Sequence, residues 1–443
     1  MAKIVVENKI DNFNKVIYVD GDKSLSIRSL LIGSQSYGIC KINNLPKSED
    51  IMSTIAGLQK LGVKISLSGN TCSVYGKGLN SFNFKKYICI NAGNSGTFAR
   101  LLLGLLIKTP NFIKITGDKS LSQRDFQRVI TPLSEFGASF YNNNRAKLPL
   151  KILGSEYIKP INYFEKRGSA QCKSSVMFAA LNSPGTTIIK AKKSRDHTEI
   201  FFKYLKLPIN IIRNKNFDII KIKGEVQFKS FNYNIPGDIS SSAFFIIMTL
   251  LSTNSKLKIK NVNLNPSRIG FINIANKMGA KIKILNKKNR YGEIIGDIFV
   301  KSQSKLRAIN CPSSMNSNAI DEFLIIFLIA AKASGVSNFK NLGELNKKES
   351  PRLKLGSKIL NKMGVKTVQK KNSIKIFGNP KLSIQKDIVI KNFYKDHRIF
   401  MTSVIAALCF GGKWVIHDVD SHKSSFPSFM NLLKKIGSKY TLI

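Results

Sequence analysis

No two cysteines in this chain are spaced to hold a metal or to form a redox pair. Cys40, Cys72, Cys89, Cys172, Cys311 and Cys409 are scattered, with no CxxC among them. That excludes a disulfide framework and leaves free thiols, expected to be buried, in a reducing compartment. The four histidines show no metal-ligand spacing, so no structural zinc is expected. Long apolar runs are missing too. The strongest, Phe323–Ala331, is too short to span a bilayer and reads as a buried helix. The opening MAKIVVENKID has acidic residues and no apolar centre, so neither a secretory signal nor a transit peptide is expected, and a cytoplasmic location follows.

Acidic residues are scarce: 26 Asp and Glu stand against 71 Lys and Arg, a formal net charge of +45. Such a balance suits a phosphate-rich partner or anionic substrates drawn in by a positive field. Yet the lysines are spread along the chain, and Asn and Ile, which share A/T-rich codons with Lys, are abundant with them. A nucleic-acid footprint would cluster, and aromatic-basic interleaving is absent. Codon bias on solvated faces is therefore the preferred reading, and no specific nucleic-acid or membrane partner is expected.

What the chain does have is repetition. Gly21–Arg28 reads GDKSLSIR and Gly117–Arg124 reads GDKSLSQR. Gly-Asp signals a turn, and the residues after it suit the first turn of a helix. Ser24 and Arg28 are four apart and share a helix face, with Lys23 just before them. The amide groups of a helix start, with Lys, Ser and Arg added, make an anion site for phosphate or carboxylate. A duplicated motif of this kind points to a duplicated unit.

A second repeat marks the whole chain. LQKLGVKI (58–65) is a helix end, a glycine stop and a strand start. It recurs at 133–140, 274–284, 360–367 and 432–440, and FKYLKLPINI (202–211) is a degraded copy with no glycine. The copies lie about 70–85 residues apart, too far for a solenoid and suited to a repeated α/β subdomain. Six units make three plus three. Breaks at Asp20-Gly21 and Ile235–Asp238 predict one lobe of residues 21–238 and another of 1–20 plus 239–443.

Several polar segments precede apolar helices. Asn91–Arg100 (NAGNSGTFAR) has small residues that let a ligand approach the backbone, and Ser169–Ser175 (SAQCKSS) has capping serines. Lys192–Glu199 (KKSRDHTE) packs many polar groups into one turn-like segment. Asp321-Glu322 opens an apolar helix, where an acid could simply favour the dipole. In Lys348–Arg352 (KESPR), Ser350 is expected to cap a helix and Pro351 to occupy its first position. Lys395–Arg398 (KDHR) precedes a further apolar run.

In this order, the segments resemble the enolpyruvyl transferases over nearly the whole chain, and within that family the branch acting on shikimate 3-phosphate. The resemblance implies an inverse α/β barrel: two lobes, each of three βαβαββ-type repeats, with the active site in the interlobe cleft. It implies that shikimate 3-phosphate meets Lys23, Ser24, Arg28, Ser169, Gln171, Ser194, Arg195, Asp321 and Lys348. Phosphoenolpyruvate meets Lys23, Gly96, Arg124, Gln171, Arg352 and Arg398. Asp321 takes the proton of the attacking hydroxyl, Lys23 or Glu349 protonates the methylene carbon, and Lys348 and His397 assist. The resemblance also implies a monomer needing no metal or cofactor and inhibited by glyphosate. The rival branch, acting on UDP-N-acetylglucosamine, uses a loop cysteine in a Gly-Cys context that this chain lacks. Departures from the family pattern are Asp20 and Asp125 where proline is usual, Pro351 in place of an acid, and Ser424, preceded by Lys423, where a lysine is usual.

Overall fold

Asp22 accepts a hydrogen bond from the Leu25 amide at 2.9 Å and opens a helix over Lys23–Gly33 (α1). The same device, a polar cap ahead of an apolar run, starts the other central helices of this computed structural model, which describes residues 2–84, 87–141 and 146–443. Ser95 caps Gly96–Leu105 (α2), Ser169 caps Ala170–Asn182 (α3) and Asp238 caps Ile239–Leu251 (α4). Phe323–Lys332 (α5) follows Glu322 without a side-chain cap, and Asp396 caps His397–Phe410 (α6). α4 and α5 are buried nearly all round, which is why their sequences carry no polar stripe.

Among the described residues the strands form six four-stranded sheets. The sheet around α2 illustrates the plan. Tyr87–Asn91 pairs in parallel with Phe112–Thr116, and α2 provides the crossover that such a pair requires. Leu150–Leu153 then pairs antiparallel with Phe112–Thr116, and Ser139–Tyr141 pairs antiparallel with Leu150–Leu153. Alternating burial along strands such as Thr186–Lys192 turns one face to the helices and the other to water.

The chain forms two compact units: Gly21–Ile235 with Arg290–Glu293, and Met1–Asp20 with Pro236–Asn289 and Ile294–Ile443. Pro236–Asp238 joins the second of these, three residues before the break expected after Asp238. The Gly237 and Asp238 amides donate to Asn261 and Asp20, both in that unit. In the first unit α1 packs on α2 and α2 on α3; in the second α4, α5 and α6 pack on one another. Three sheets surround each helical centre. Strands from outside the local run complete some sheets: Asn232–Asn234 pairs with Tyr37–Asn43, and Asn14–Ile17 with Lys256–Asn263. Lys3–Val6 lies between Trp414–His417 and Thr441–Leu442.

The glycine stops take the left-handed conformation that ends a helix: Gly62, Gly137, Gly279, Gly364 and Gly437 all have φ between +84° and +120°. The degraded copy keeps the geometry without the residue. Lys206 has φ +56°, and its amide and that of Leu207 close the end of His197–Tyr204 by donating to Lys203 and Phe202. Not all cysteines are buried, in contrast to expectation: Cys89 is exposed at a strand edge and Cys409 is half-buried. Among the described residues, no helix is long and apolar enough to cross a membrane.

Candidate active site

In the unit built from Gly21–Ile235, the N-terminus of α1 presents Lys23 and Ser24. Lys23 Nζ lies 2.8 Å from the buried Asp50 carboxylate, which fixes the ammonium while leaving it partly open to water. One turn on, Arg28 is 3 % exposed and held from three directions. Its Nε donates to Thr198 Oγ1 at 2.8 Å, NH1 to the Ser24 carbonyl at 3.0 Å, and NH2 to Ser174 Oγ at 3.1 Å.

The second octapeptide repeats the cap but not the helix. Asp118 accepts from the Leu121 amide at 2.7 Å, yet the helix runs only over Lys119–Ser122. Arg124 therefore leaves from a turn, and its NH2 donates to Asn94 Oδ1 at 2.6 Å. Arg100, one turn into α2, donates to Gln171 Oε1 at 2.7 Å and lies over the Phe126 ring at 4.8 Å. Gln171 in turn donates to Thr97 Oγ1 at 3.0 Å. Burial, and then the Arg124 charge, pull the Arg100 pKa down to about 10. Between these groups sits Gly96: a Cβ there would lie 2.9 Å from an NH1 of both Arg100 and Arg124. The backbone at the start of α2 thus approaches two guanidinium groups that mutual repulsion makes receptive to an anion.

Ser169 caps α3 by accepting from the Cys172 amide at 3.3 Å, and its own amide donates to buried Glu165 at 2.9 Å. Close by in sequence, Asp196 accepts from Arg213 at 2.9 Å, and His197 Nδ1 lies 2.6 Å from Glu293 Oε1. Ser194 Oγ is buried with no hydrogen-bond partner among the described residues. Arg195 lies beside it, half-buried.

The other unit carries a second cluster. Asp321 lies in the turn between Asn316–Ala319 and α5. Lys348 Nζ is 3.1 Å and Arg352 NH1 3.5 Å from its Oδ1. Arg352, 1 % exposed, is gripped by Asp396 in a two-point contact at 2.8 and 3.1 Å and also pairs with Glu349. Burial disfavours its charge, but the Asp396 and Glu349 carboxylates outweigh burial and hold it above the ordinary arginine range. Burial likewise raises Asp396, and the Arg352 charge more than reverses this, leaving Asp396 below the usual carboxylate range. Arg398 NH1 donates to the Asp321 carbonyl at 2.7 Å. His397 opens α6 and is buried. Ser350 does not cap the helix Arg352–Lys362 as expected. Pro351 holds the cap position, and the Ser350 hydroxyl donates to Asp396 at 2.7 Å.

The structure thus gathers Lys23, Ser24, Arg28, Gly96, Arg124, Ser169, Gln171, Ser194 and Arg195 in one unit. Asp321, Lys348, Glu349, Arg352, His397 and Arg398 fall in the other. Sequence reasoning missed Arg100, Thr198 and Asp396, although all three stand inside segments it singled out. Asp50 and Glu165 left no local signal. Of the departures, Asp20 is half-buried and accepts from the Ser428 amide at 3.0 Å. The Asp125 carboxylate faces the Gln127 amide and Arg128, and Lys423 pairs with Asp420 at 2.7 Å. No group of three or more metal-ligating side chains occurs among the described residues.

The family model for EPSP synthase (3-phosphoshikimate 1-carboxyvinyltransferase) matches residues 7–433. The chain is 38% identical to the 3-phosphoshikimate 1-carboxyvinyltransferase of Ruthia magnifica subsp. Calyptogena magnifica, over 100% of both chains. It is also 38% identical to the enzyme of that name from Petrotoga mobilis, over 97% of this chain and 98% of the relative. Among solved structures, EPSP synthase from Acinetobacter baumannii superposes with a TM-score of 0.87 at 30% identity, covering 100% of both chains. The enolpyruvyl transferase NikO from Streptomyces tendae, at 13% identity and a TM-score of 0.77 over 100% of this chain and 98% of its own, shares the fold.

Proposed function

We infer the chemistry of the site from one premise: the chain belongs to the EPSP synthase (3-phosphoshikimate 1-carboxyvinyltransferase) family. It transfers the enolpyruvyl group of phosphoenolpyruvate to the 5-hydroxyl of shikimate 3-phosphate, releasing phosphate on the way to chorismate and the aromatic amino acids. The observation that carries the assignment of residues is the pair Arg100 and Arg124 at Gly96, a place built for a compact anion.

On this reading phosphoenolpyruvate lies against Gly96, Arg124 and Gln171, with Lys23, Arg352 and Arg398 completing its contacts. Arginine is suited to both anionic groups because its fork matches carboxylate and phosphate oxygens. Shikimate 3-phosphate is held by Lys23, Ser24, Arg28, Ser169, Gln171, Ser194 and Arg195. The buried hydroxyl of Ser194, which has no partner among the described residues, supports a ligand oxygen there. Asp321 and Lys348 meet the 5-hydroxyl.

Asp321 accepts the hydroxyl proton as the oxygen attacks C2 of phosphoenolpyruvate, and the methylene carbon C3 gains a proton. Lys23 is the better donor of the two candidates, because its ammonium is partly open at the start of α1 whereas the Glu349 side chain is engaged by Arg352. The tetrahedral adduct then expels phosphate by breaking the C2–O bond as the new methyl group gives back a proton. Lys348 holds Asp321 in place, and His397 and the arginines take up the charge of departing phosphate. Glyphosate competes for the phosphoenolpyruvate groups, and the enzyme acts as a monomer in the cytoplasm. The test is phosphate release from phosphoenolpyruvate with and without shikimate 3-phosphate. Release that needs both substrates supports the reading; release indifferent to shikimate 3-phosphate refutes it.

A further inference from the structure

Two hydroxyls from different elements meet at Arg28. Ser174 is in the first turns of α3 and Thr198 in the first turn of His197–Tyr204. Their oxygens are 2.7 Å apart, so one donates to the other, and both are fully buried. Thr198 Oγ1 accepts a hydrogen bond from Arg28 Nε and Ser174 Oγ accepts one from NH2, while the Ser24 carbonyl accepts one from NH1. The next residues along, Lys173 and Glu199, form a buried ion pair at 2.5 Å that ties the same two elements together. An arginine has four rotatable side-chain bonds, and a single anchor leaves its plane free to turn. Anchors on all three nitrogens fix the plane and therefore the directions of its other N–H bonds.

We propose that Thr198, with Ser174 beside it, is a positioning residue that sets the plane of the Arg28 guanidinium for the anionic substrate. The proposal rests on the reading that Arg28 meets shikimate 3-phosphate. Nothing in it requires Thr198 to touch substrate. The hydroxyl is used up inside the protein, and its effect reaches the ligand through Arg28 alone.

Thr198→Val keeps shape and volume but removes the acceptor. It should weaken shikimate 3-phosphate binding by about 10-fold in direct calorimetric titration, since a hydrogen bond to a charged group is lost. The KM for phosphoenolpyruvate at saturating shikimate 3-phosphate should change less than twofold. Thr198→Ser restores the hydroxyl and should recover affinity to within about threefold. A structural role alone would lower thermal stability in Thr198→Val and leave the titration unchanged, and that result overturns the proposal. So does equal loss in the Val and Ser variants. Arg28→Lys separates this from the reading beneath it: unchanged shikimate 3-phosphate affinity in Arg28→Lys refutes the placement of Arg28 itself. Weakened affinity there with none in Thr198→Val refutes only the positioning role. Should Thr198→Val fail to fold, Ser174→Ala carries the test: a several-fold loss of shikimate 3-phosphate affinity upholds the proposal, and wild-type affinity overturns it.

Discussion

Replacing Gly96 by alanine tests the two-guanidinium site directly. The added Cβ would lie 2.9 Å from one nitrogen of Arg100, 2.9 Å from one of Arg124 and 3.5 Å from a Leu121 methyl. Ordinary van der Waals contact begins at about 3.4 Å, so both guanidinium groups must retreat by about half an ångström. Neither moves freely. Arg124 is held to Asn94 at 2.6 Å, and Arg100 to Gln171 at 2.7 Å with its plane over Phe126. A 1 Å misplacement of a binding group costs about 100-fold, so half of that predicts a phosphoenolpyruvate KM raised about 10-fold. Glyphosate, whose chain between carboxylate and phosphorus is longer by one atom, should lose more. Shikimate 3-phosphate should lose least, because only Gln171 among its named groups touches Arg100, and Arg28 and Ser194 stand on other elements. Steady-state kinetics with each substrate varied, together with calorimetric titration of shikimate 3-phosphate, reads all three. Equal loss for the three ligands, or a phosphoenolpyruvate KM within twofold of wild type, refutes the reasoning.

Asp321→Asn preserves shape near Lys348 and removes the base; kcat should fall by about 10²–10⁴ with shikimate 3-phosphate still bound, and near-normal turnover would remove Asp321 from the mechanism. Lys206→Gly should stabilise the protein by roughly 1 kcal/mol, read as a raised urea midpoint, because exposed Lys206 holds a left-handed conformation that only glycine adopts cheaply. Burial pushes the His422 imidazole below its ordinary value, against the opposing hydrogen bond to the Phe426 carbonyl. Its neutral form is thus the folded one: its contribution is intact above about pH 6.5 and is lost as pH falls through the depressed folded value. Thermal melts from pH 7.5 to 5 should fall more steeply for wild type than for His422→Gln, and parallel curves would count against it.

The repeat was legible wherever a residue type forced the geometry. Five glycines announced five helix ends, because only glycine takes that conformation without strain. The sixth end was visible only by its place in the series, since lysine carries no turn signal. Phe323–Ala331 was readable as a buried helix because a run apolar on every side can have no solvent face. Ser350 misled because a serine before proline has the chemistry of a cap, whereas its hydroxyl is claimed by Asp396, 46 residues away. The same holds for Arg28. The motif predicted an arginine for anions, and nothing local in sequence revealed that Thr198, 170 residues on, would hold it. The candidate residues were readable from short motifs, and the groups that orient them were not, because those contacts close over long separations.

The strand Lys3–Val6 is bounded on one side by Trp414–His417, and Lys3 and Ile443 exchange backbone hydrogen bonds in both directions. For a chain made from its N-terminus, this imposes an order in time. At about 5–20 residues per second, Lys3–Val6 waits tens of seconds for its partner to be synthesised. Gly21–Ile235 has its helices and sheets complete long before that and can fold meanwhile. A permuted gene that joins the two ends and begins at Gly21 would make Lys3–Val6 directly after Thr441–Leu442, so that this strand would no longer wait for its partners.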